Sequence, residues 1–287
     1  MLGEGRATTM SGRREGVDLN DVNRNNDPHP AACGLRYPPF GGRQNHEPSS
    51  SRPKTAGLVT AVIIPAFNEA ESIGAVVAEL PRAIVDRVIV VDGGSADATL
   101  QRARDAGAEV IEVGLGYGRA CFTGAQAAMG ADILVFMDGD GADDPAGIAA
   151  LIAPIKNGTS DFVIASRARG EREPGSMAWH QLLAGRFAGA LTGFLYGVHY
   201  SDMCAFRAIR RDTLLALGMR EMTYGWNLEM QMRVARRHLR VREVPVSYRR
   251  RLGGQSKVAS SLSGSLKAAM NILSAFARIA LQGSRSG

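Results

Sequence analysis

Two aspartates separated by one glycine, Asp138 and Asp140 around Gly139, stand directly after an apolar segment, in the run FMDGDGADD at 136–144. At the end of a strand, this DxD spacing lets both carboxylates approach one hard cation, and Mg²⁺ and Mn²⁺ prefer such oxygen ligands. A metal held there with a diphosphate would neutralise the charge that develops as the diphosphate leaves. The alternative interpretation is an acidic surface turn in which aspartate acts only as a turn former.

Two further groups of candidate binding residues follow apolar runs nearer the N-terminus. Pro65 fixes the backbone, Phe67 offers an apolar contact to a base, and Glu69 offers a carboxylate to a base or ribose. Asp92 ends the next apolar run, where a carboxylate can accept a hydrogen bond from a base or a ribose hydroxyl. The alternatives are a plain strand–helix connection for the first group, and for Asp92 a charge favoured by a helix dipole.

Basic side chains fall at the predicted ends of several elements, at Arg167, Arg207, Arg251 and Lys257. Arginine can hold a phosphate in a bidentate fork, whereas lysine acts as a compact point charge. Residues 248–257 read YRRRLGGQSK and combine both types with glycines that let the backbone come close. The chemistry favoured is phosphate binding, and the alternative is an exposed basic loop.

A repeating pattern of strands and helices would position these side chains. Apolar, β-branched runs predict strands at 58–65, 87–91, 108–113, 132–137 and 161–166. Helical spacing predicts helices at 70–80, 95–105 and 119–130; Asn68 could cap the first, and Pro145 would begin another. Strands that alternate with helices predict a doubly wound, mostly parallel α/β sheet, which binds ligands at the carboxyl ends of its strands.

The second half of the chain is less regular. We predict a loop at 168–176, helices at 178–195 and 224–238, and strands at 202–209 and 241–248. Near the C-terminus, helical spacing places Leu262, Leu266, Ala269, Leu273, Phe276, Ala277 and Ala280 on one face. That amphipathic face could lie on a membrane interface or pack on the main domain.

The domain organisation follows from the change of texture near Leu58. Residues 1–57 are rich in Arg, Asn, Gly, Pro and Ser and show no apolar period, so we expect a disordered extension. We therefore predict the extension at 1–57, one α/β domain at 58–258, and an amphipathic helix and tail at 259–287.

The composition restricts the partners and the compartment. The net charge of +6 and the pI near 9.5 favour anionic partners or a solvated basic surface, and we find no nucleic-acid-binding motif. The three cysteines form neither a metal motif nor a disulfide framework, which favours a reducing cytosol. We find no secretory signal and no run of the roughly 18–20 apolar residues that span a bilayer. We expect a cytoplasmic protein. Any contact with a membrane would be peripheral, at its inner face.

Several segments together resemble the family 2 glycosyltransferases, in particular the dolichol-phosphate mannose synthase group and its bacterial polyprenyl-phosphate relatives. In chain order they are IIPAFNEAESI, VVDGGSADAT, FMDGDGADDP, ASRARG, SDMCAFRAIRRDTL, GWNLEMQMRVARR and EVPVSYRRRLGGQSKV. The likeness covers roughly residues 58–258. It implies a GT-A fold, a nucleoside-diphosphate sugar donor, and Mg²⁺ or Mn²⁺.

The resemblance also assigns roles to individual positions. Residues Pro65, Phe67 and Glu69 would hold the nucleoside, with Val91 and Asp92 beside them. Residues Asp138, Gly139 and Asp140 would lie at the diphosphate and the metal, whereas Arg167, Arg251 and Lys257 would bind phosphates of the donor or the acceptor. The chain departs from the family pattern at Gly93, Ala142, Gly185 and Ala205, where the family has Asp, Gln, Ser and Gly.

The expected reaction is inverting transfer of a hexose from the nucleotide sugar to a polyprenyl phosphate of the dolichyl or undecaprenyl type at a membrane surface. Because a phosphate monoester is already largely ionised near neutral pH, direct displacement at the anomeric carbon needs no strong base. One alternative is transfer to a soluble or glycan hydroxyl, which would need a base such as Asp202 or Glu229. Another is a non-enzymatic nucleotide-sugar binder.

Overall fold

A seven-stranded β-sheet forms the centre of the protein in the computed structural model, which describes residues 57–177, 179–253, 274 and 276–279. Its strands are β1 (Thr60–Ala66), β2 (Arg87–Asp92), β3 (Glu109–Glu112), β4 (Ile133–Phe136), β5 (Phe162–Ser166), β6 (Arg207–Arg210) and β7 (Val241–Pro245). The order across the sheet is β3-β2-β1-β4-β6-β5-β7, and β6 runs antiparallel to both its neighbours. The other neighbouring pairs are parallel, which confirms the predicted doubly wound, mostly parallel α/β architecture.

Seven α-helices surround this sheet in the described part of the chain. They are α1 (Ile73–Ala78), α2 (Thr99–Asp105), α3 (Tyr117–Ala127), α4 (Ile148–Lys156), α5 (Trp179–Tyr196), α6 (Arg211–Leu217) and α7 (Trp226–Arg236). A 3₁₀ turn at Pro145–Gly147 precedes α4, and the Asp144 side chain caps it by accepting a hydrogen bond from the Ala146 N–H. Pro145 therefore begins a helical segment as predicted, whereas α6 was not predicted.

The burial of the strands explains why their sequences are so uniformly apolar. All seven residues of β1 and all four of β4 are buried, because helices cover both faces of the centre of the sheet. The two edge strands, β3 and β7, are only half-buried and carry charged residues such as Glu109 and Arg242. The strands with the most continuous apolar runs are thus the central ones, and β4 leads directly into the acidic run.

Helix α3 approaches the middle of the sheet closely at Gly124. A Cβ atom at this position would lie 2.5 Å from Cγ2 of Ile63 and 3.1 Å from Cγ2 of Val91. Both neighbours are fully buried side chains of β1 and β2, so neither can move aside easily. Gly124 therefore sets the distance between α3 and the two strands that lead to the candidate site.

We expect Gly124→Ala to lower the free energy of unfolding by about 1–3 kcal/mol, because overpacking outweighs the gain of up to about 1 kcal/mol in helix propensity. Urea denaturation followed by circular dichroism measures this change. The matched control is Gly74→Ala in α1, where the nearest atom to an added Cβ is 3.8 Å away and the substitution should be neutral or stabilising. Equal stability of the two variants would contradict the packing argument.

Part of the predicted organisation lies outside the described residues, namely residues 1–56 of the expected extension and most of 259–287. Within the latter segment, Phe276 and Ile279 are buried in an apolar cluster with Ala188, Leu228 and Met232. The described part of the amphipathic segment thus packs on the domain, although Ala277, predicted on the same face, is exposed. In the described part of the chain, no helix combines the length and apolarity needed to cross a membrane.

Candidate active site

The register of the central strands brings the predicted site residues to one edge of the sheet. Pro65 pairs with Val91, and Ala66 pairs with Asp92, across the parallel strands β1 and β2. Strand β4 lies on the other side of β1 and ends at Phe136, immediately before the acidic run. The candidate nucleoside residues and the candidate metal residues therefore leave neighbouring strands at the same carboxyl edge.

Hydrogen bonds fasten the loop after β1 to the loop after β2. Asn68 has a positive φ of 51°; its N–H donates to Ser95 Oγ at 2.7 Å, and its Oδ1 accepts from the Ala96 N–H at 2.9 Å. The side chain thus joins two loops. It does not cap α1, which begins only at Ile73, so the expectation that Asn68 caps this helix is wrong.

Asp92 lies in the middle of this pair of loops and is fully buried. Its Oδ2 accepts hydrogen bonds from the backbone N–H groups of Gly94 at 2.9 Å and Ser95 at 2.7 Å, and its Oδ1 accepts one from Ser95 Oγ. Phe67 lies beside the next residue of this loop, because a Cβ on Gly93 would be 3.7 Å from the Phe67 ring. Asp92 therefore organises the loop itself, and any contact with a nucleoside would be additional to that task.

The Ser72 hydroxyl connects the first loop to the acidic run. Ser72 Oγ donates a hydrogen bond to the Gly139 carbonyl at 2.8 Å and lies 3.4 Å from Oε2 of Glu69. The Glu69 N–H in turn donates to Thr99 Oγ1 at 2.8 Å. A change in the position of Glu69 is thereby coupled to the loop that carries Asp138 and Asp140.

Three carboxylates of the acidic run lie close together. The Asp138 N–H donates to Asp143 Oδ2 at 3.2 Å, and Asp140 Oδ1 accepts from the Ala142 N–H at 2.9 Å. Loss of hydration and then the charge of Asp140 raise the pKa of Asp138 to about 6. Burial, followed by the charges of Asp138 and Asp140, raises the pKa of Asp143 to about 8. The carboxylates thus repel one another, and a cation between them would relieve that repulsion.

These carboxylate oxygens suit a hard divalent cation as ligands, because the cation's positive charge would offset the repulsion between the carboxylates. Among the described residues, no three His, Cys, Asp or Glu side chains are arranged to hold a metal ion by themselves. Mg²⁺ often binds proteins through one or two carboxylates and completes its coordination with a substrate phosphate and water, which a pair such as Asp138 and Asp140 would allow.

Tyr117 forms a hydrogen bond with Asp138. This residue was not among the site residues predicted from the sequence. Its hydroxyl donates a hydrogen bond to Asp138 Oδ1 at 3.2 Å and lies 3.5 Å from Nδ2 of Asn227. In the sequence this tyrosine stands within the glycine-rich run GLGYG at 114–118, which does not by itself indicate a contact with Asp138. Tyr117 links the candidate metal residues to α7.

Arg251 lies on the acidic run, and its predicted binding of a phosphate stays a prediction. Its NH1 is 3.1 Å from Asp140 Oδ2, and its side chain is 35% exposed. The next residue, Leu252, donates its N–H to the Asp140 carbonyl at 3.0 Å, and the Arg249 N–H donates to the Ala142 carbonyl at 2.9 Å. Lys257, predicted to act with Arg251, lies outside the described residues.

Arg167 lies near the acidic run, but its guanidinium is paired with a carboxylate outside that run. Its Nε and NH2 form a bidentate pair with Asp202 at 2.9 and 2.8 Å, and its guanidinium lies 5.0 Å from the centroid of the Tyr248 ring. Arg207 is fully buried and donates to the carbonyls of Cys204, Ala205 and Asn227. Arg207 is therefore structural, whereas Arg167 lies near the site with its charge largely compensated.

The two carboxylates named as bases for a hydroxyl acceptor are also engaged. Asp202 is 2% exposed and holds Arg167. Glu229 is fully buried, pairs with Arg233 and accepts hydrogen bonds from the N–H groups of Arg220 and Glu221. Neither carboxylate is placed as an accessible base.

The topology of this sheet, with an acidic run directly after β4, is that of the GT-A fold. The family model for glycosyl transferase family 2 matches residues 61–218, and the chain belongs to that family. A glycosyltransferase of Mycobacterium tuberculosis described as uncharacterized is 34% identical over 75% of this chain and 97% of its own length. The undecaprenyl-phosphate mannosyltransferase of Micrococcus luteus is 32% identical over 70% of this chain and 88% of its own.

A solved structure supports the fold independently. Glucosyl-3-phosphoglycerate synthase from Mycobacterium tuberculosis, in complex with Mn²⁺, uridine diphosphate and phosphoglyceric acid, superposes with a TM-score of 0.61. The superposition covers 78% of both chains at 21% sequence identity. The GT-A fold and the membership in family 2 implied by the sequence motifs are therefore confirmed.

Proposed function

We propose that this protein is an inverting, metal-dependent hexosyltransferase that moves a sugar from a nucleoside diphosphate to a polyprenyl phosphate at a membrane surface. The observation that carries the proposal is the acidic run after β4. Asp138 and Asp140 lie there beside the hydrogen-bonded loops that follow β1 and β2, and Asp140 is in contact with Arg251. Residues 58–258 are the proposed catalytic domain.

The donor side is assigned to the loops after β1, β2 and β4. Pro65, Phe67 and Glu69 would contact the nucleoside, with Val91 and Asp92 holding the neighbouring loop in place. Asp138 and Asp140 would hold Mg²⁺ or Mn²⁺, which neutralises charge on the leaving diphosphate. The complex of the phosphoglycerate synthase with Mn²⁺ and uridine diphosphate supports this assignment by analogy of fold.

The acceptor side is assigned to the basic residues. Arg251, released from Asp140 when a cation takes that carboxylate, would bind a phosphate, and Lys257 would add a second charge. Arg167, which is paired with Asp202, would add positive electrostatic potential to the region of the acceptor phosphate. These residues would position two phosphate-bearing substrates and offset their repulsion, so that attack at the anomeric carbon is in line.

A phosphate acceptor fits the state of the two carboxylates that were candidate bases for a hydroxyl acceptor. Asp202 and Glu229 are both engaged in ion pairs, whereas a hydroxyl acceptor would require one of them to be available. A polyprenyl phosphate is favoured over other phosphates by the similarity to an undecaprenyl-phosphate mannosyltransferase. The proposed location is the cytoplasmic face of a membrane, in keeping with the free, buried thiols of Cys121 and Cys204.

Product partition tests this function directly. The protein is incubated with Mn²⁺ and radiolabelled nucleotide sugars, first with undecaprenyl phosphate in detergent and separately with phosphoglycerate. We expect label in the organic phase with the lipid acceptor and none in a sugar phosphoglycerate product. Transfer to phosphoglycerate alone would overturn the choice of acceptor, and the absence of both transfer and donor hydrolysis across the nucleotide sugars would favour a non-enzymatic binder.

Removal of one hydroxyl tests the support that Tyr117 gives to Asp138. We expect Tyr117→Phe to raise the Mn²⁺ concentration needed for half-maximal transfer by about tenfold, because a hydrogen bond to a charged group contributes roughly 1.5–3 kcal/mol. Transfer rates over a Mn²⁺ titration provide the measurement. Tyr224, 71% exposed and stacked on Tyr117, gives the matched control Tyr224→Phe, which should leave the titration unchanged.

A further inference from the structure

Helix α5 carries four of its large apolar side chains on the side that faces away from the domain. The exposed fractions are 63% for Trp179, 53% for Leu183, 54% for Phe187 and 84% for Phe194. At about 100° of rotation per residue, these four positions and Ala190 fall within one narrow arc of the helix surface. We call this arc the outer face of α5.

The opposite side of the same helix is made of small residues that pack on the domain. A Cβ at Gly185 would lie 3.5 Å from Asp202 Oδ1, and one at Gly189 would clash with the Tyr200 carbonyl at 1.8 Å. Ala188 and Thr192, on this side as well, are each 1% exposed. A helix that only covers a domain buries its large apolar side chains and exposes polar ones. Helix α5 instead exposes four large apolar side chains on one face, so this outer face is suited to contact a second apolar environment.

The charges on α5 indicate which environment that is. The helix contains no acidic residue, and its one arginine, Arg186, is exposed at the border of the outer face. The whole chain carries a net charge of +6. Trp179 begins the helix and Tyr196 ends it, and these residue types favour the boundary between lipid headgroups and acyl chains. An apolar, aromatic-ended face with a cationic border matches the surface of an anionic bilayer.

The position of α5 relates this face to the candidate site. Its inner side touches Asp202, which holds Arg167 at the carboxyl end of β5. A bilayer in contact with the outer face would therefore lie about one helix diameter, roughly 10 Å, from the proposed acceptor side. We propose that the outer face of α5 docks on a bilayer that contains anionic phospholipid, with the helix parallel to the membrane surface; the purpose of this docking rests on the proposed lipid-linked acceptor.

Vesicle flotation tests the docking surface. The full chain is mixed with vesicles of phosphatidylcholine and phosphatidylglycerol and centrifuged through a density gradient. We expect the wild-type protein to float and the double variant Phe187→Ser/Phe194→Ser to show a partition coefficient lower by at least about tenfold. The matched control is Met129→Ser, which removes an apolar side chain that is 74% exposed elsewhere and should leave flotation unchanged.

Thermal unfolding and transfer to a short isoprenyl phosphate dissolved in detergent separate docking from folding and from catalysis. We expect the double variant to match the wild type in both. Equal flotation of the wild type and the double variant would overturn the assignment of the surface.

Failure of the wild type to float while it transfers sugar would overturn the docking and leave the proposed function standing. A wild-type dimer that the double variant converts to a monomer, without vesicle binding, would overturn it in favour of a second copy of the chain. Flotation without transfer to any polyprenyl phosphate would instead leave docking supported and the proposed acceptor wrong.

Discussion

Replacement of Asp140 by asparagine is expected to lower the turnover of sugar transfer by at least about 10³-fold, which corresponds to roughly 4 kcal/mol of lost transition-state stabilisation. Asparagine keeps an oxygen for the Ala142 N–H, so the loop retains its internal hydrogen bond. What is lost is the negative charge that would hold a cation at the diphosphate. The measurement is transfer of labelled sugar over a range of Mn²⁺ concentrations.

The matched control lies in the same acidic run. Asp144 caps the turn before α4 and pairs with Arg249, so its carboxylate is used within the protein. We expect Asp144→Asn to retain turnover within about threefold, because a surface ion pair contributes little. Unchanged turnover in Asp140→Asn, with a melting temperature equal to that of the wild type, would remove the proposed metal role of this residue.

Truncation of Arg167 is expected to have the largest effect on stability. Asp202 is 2% exposed, so Arg167→Ala leaves a buried carboxylate without its bidentate partner and should lower the free energy of unfolding by about 3–5 kcal/mol. Asp202→Ala should be milder, because the Arg167 side chain is 18% exposed and keeps its contact with the Tyr248 ring. Equilibrium unfolding in urea gives both values.

A surface arginine provides the comparison for this pair. Arg249 forms ion pairs with Glu79 and Asp144, and its side chain is 37% exposed, so Arg249→Ala should cost no more than about 1 kcal/mol. In the double variant Arg167→Ala/Asp202→Ala, the two losses should be less than additive. If Arg167→Ala abolished transfer without any loss of stability, Arg167 would act on a substrate and not on Asp202.

The position of the proposed donor residues at one edge of the sheet follows from local sequence, which is why it could be predicted. Strands β1, β2 and β4 are buried on both faces, so each appears as an uninterrupted apolar run, and the polar residues that end each run mark the carboxyl edge of the sheet. Asp92 and Asp138 were found in this way. Their positions at the strand ends could be located without knowledge of contacts between distant segments.

The remaining features depend on contacts between distant segments. The ion pair of Arg167 with Asp202 could not be predicted, because nothing near Arg167 in the sequence indicates that partner. Asn68 looked like a helix cap because its hydrogen bonds to Ser95 and Ala96 connect two separate loops. Tyr117 reaches Asp138 from the first turn of α3, and apolar periodicity alone does not reveal that contact.

The antiparallel strand β6 has a consequence for how the chain comes to its native state. It lies between β4 and β5, yet it begins at Arg207, long after β4 ends at Phe136. During synthesis on the ribosome, β1 to β4 can assemble while one edge of β4 still has open backbone groups. Such an edge invites pairing with other chains, and closing it requires a distant part of the polypeptide. The yield of folded enzyme should therefore depend on how quickly translation delivers β6 to β4.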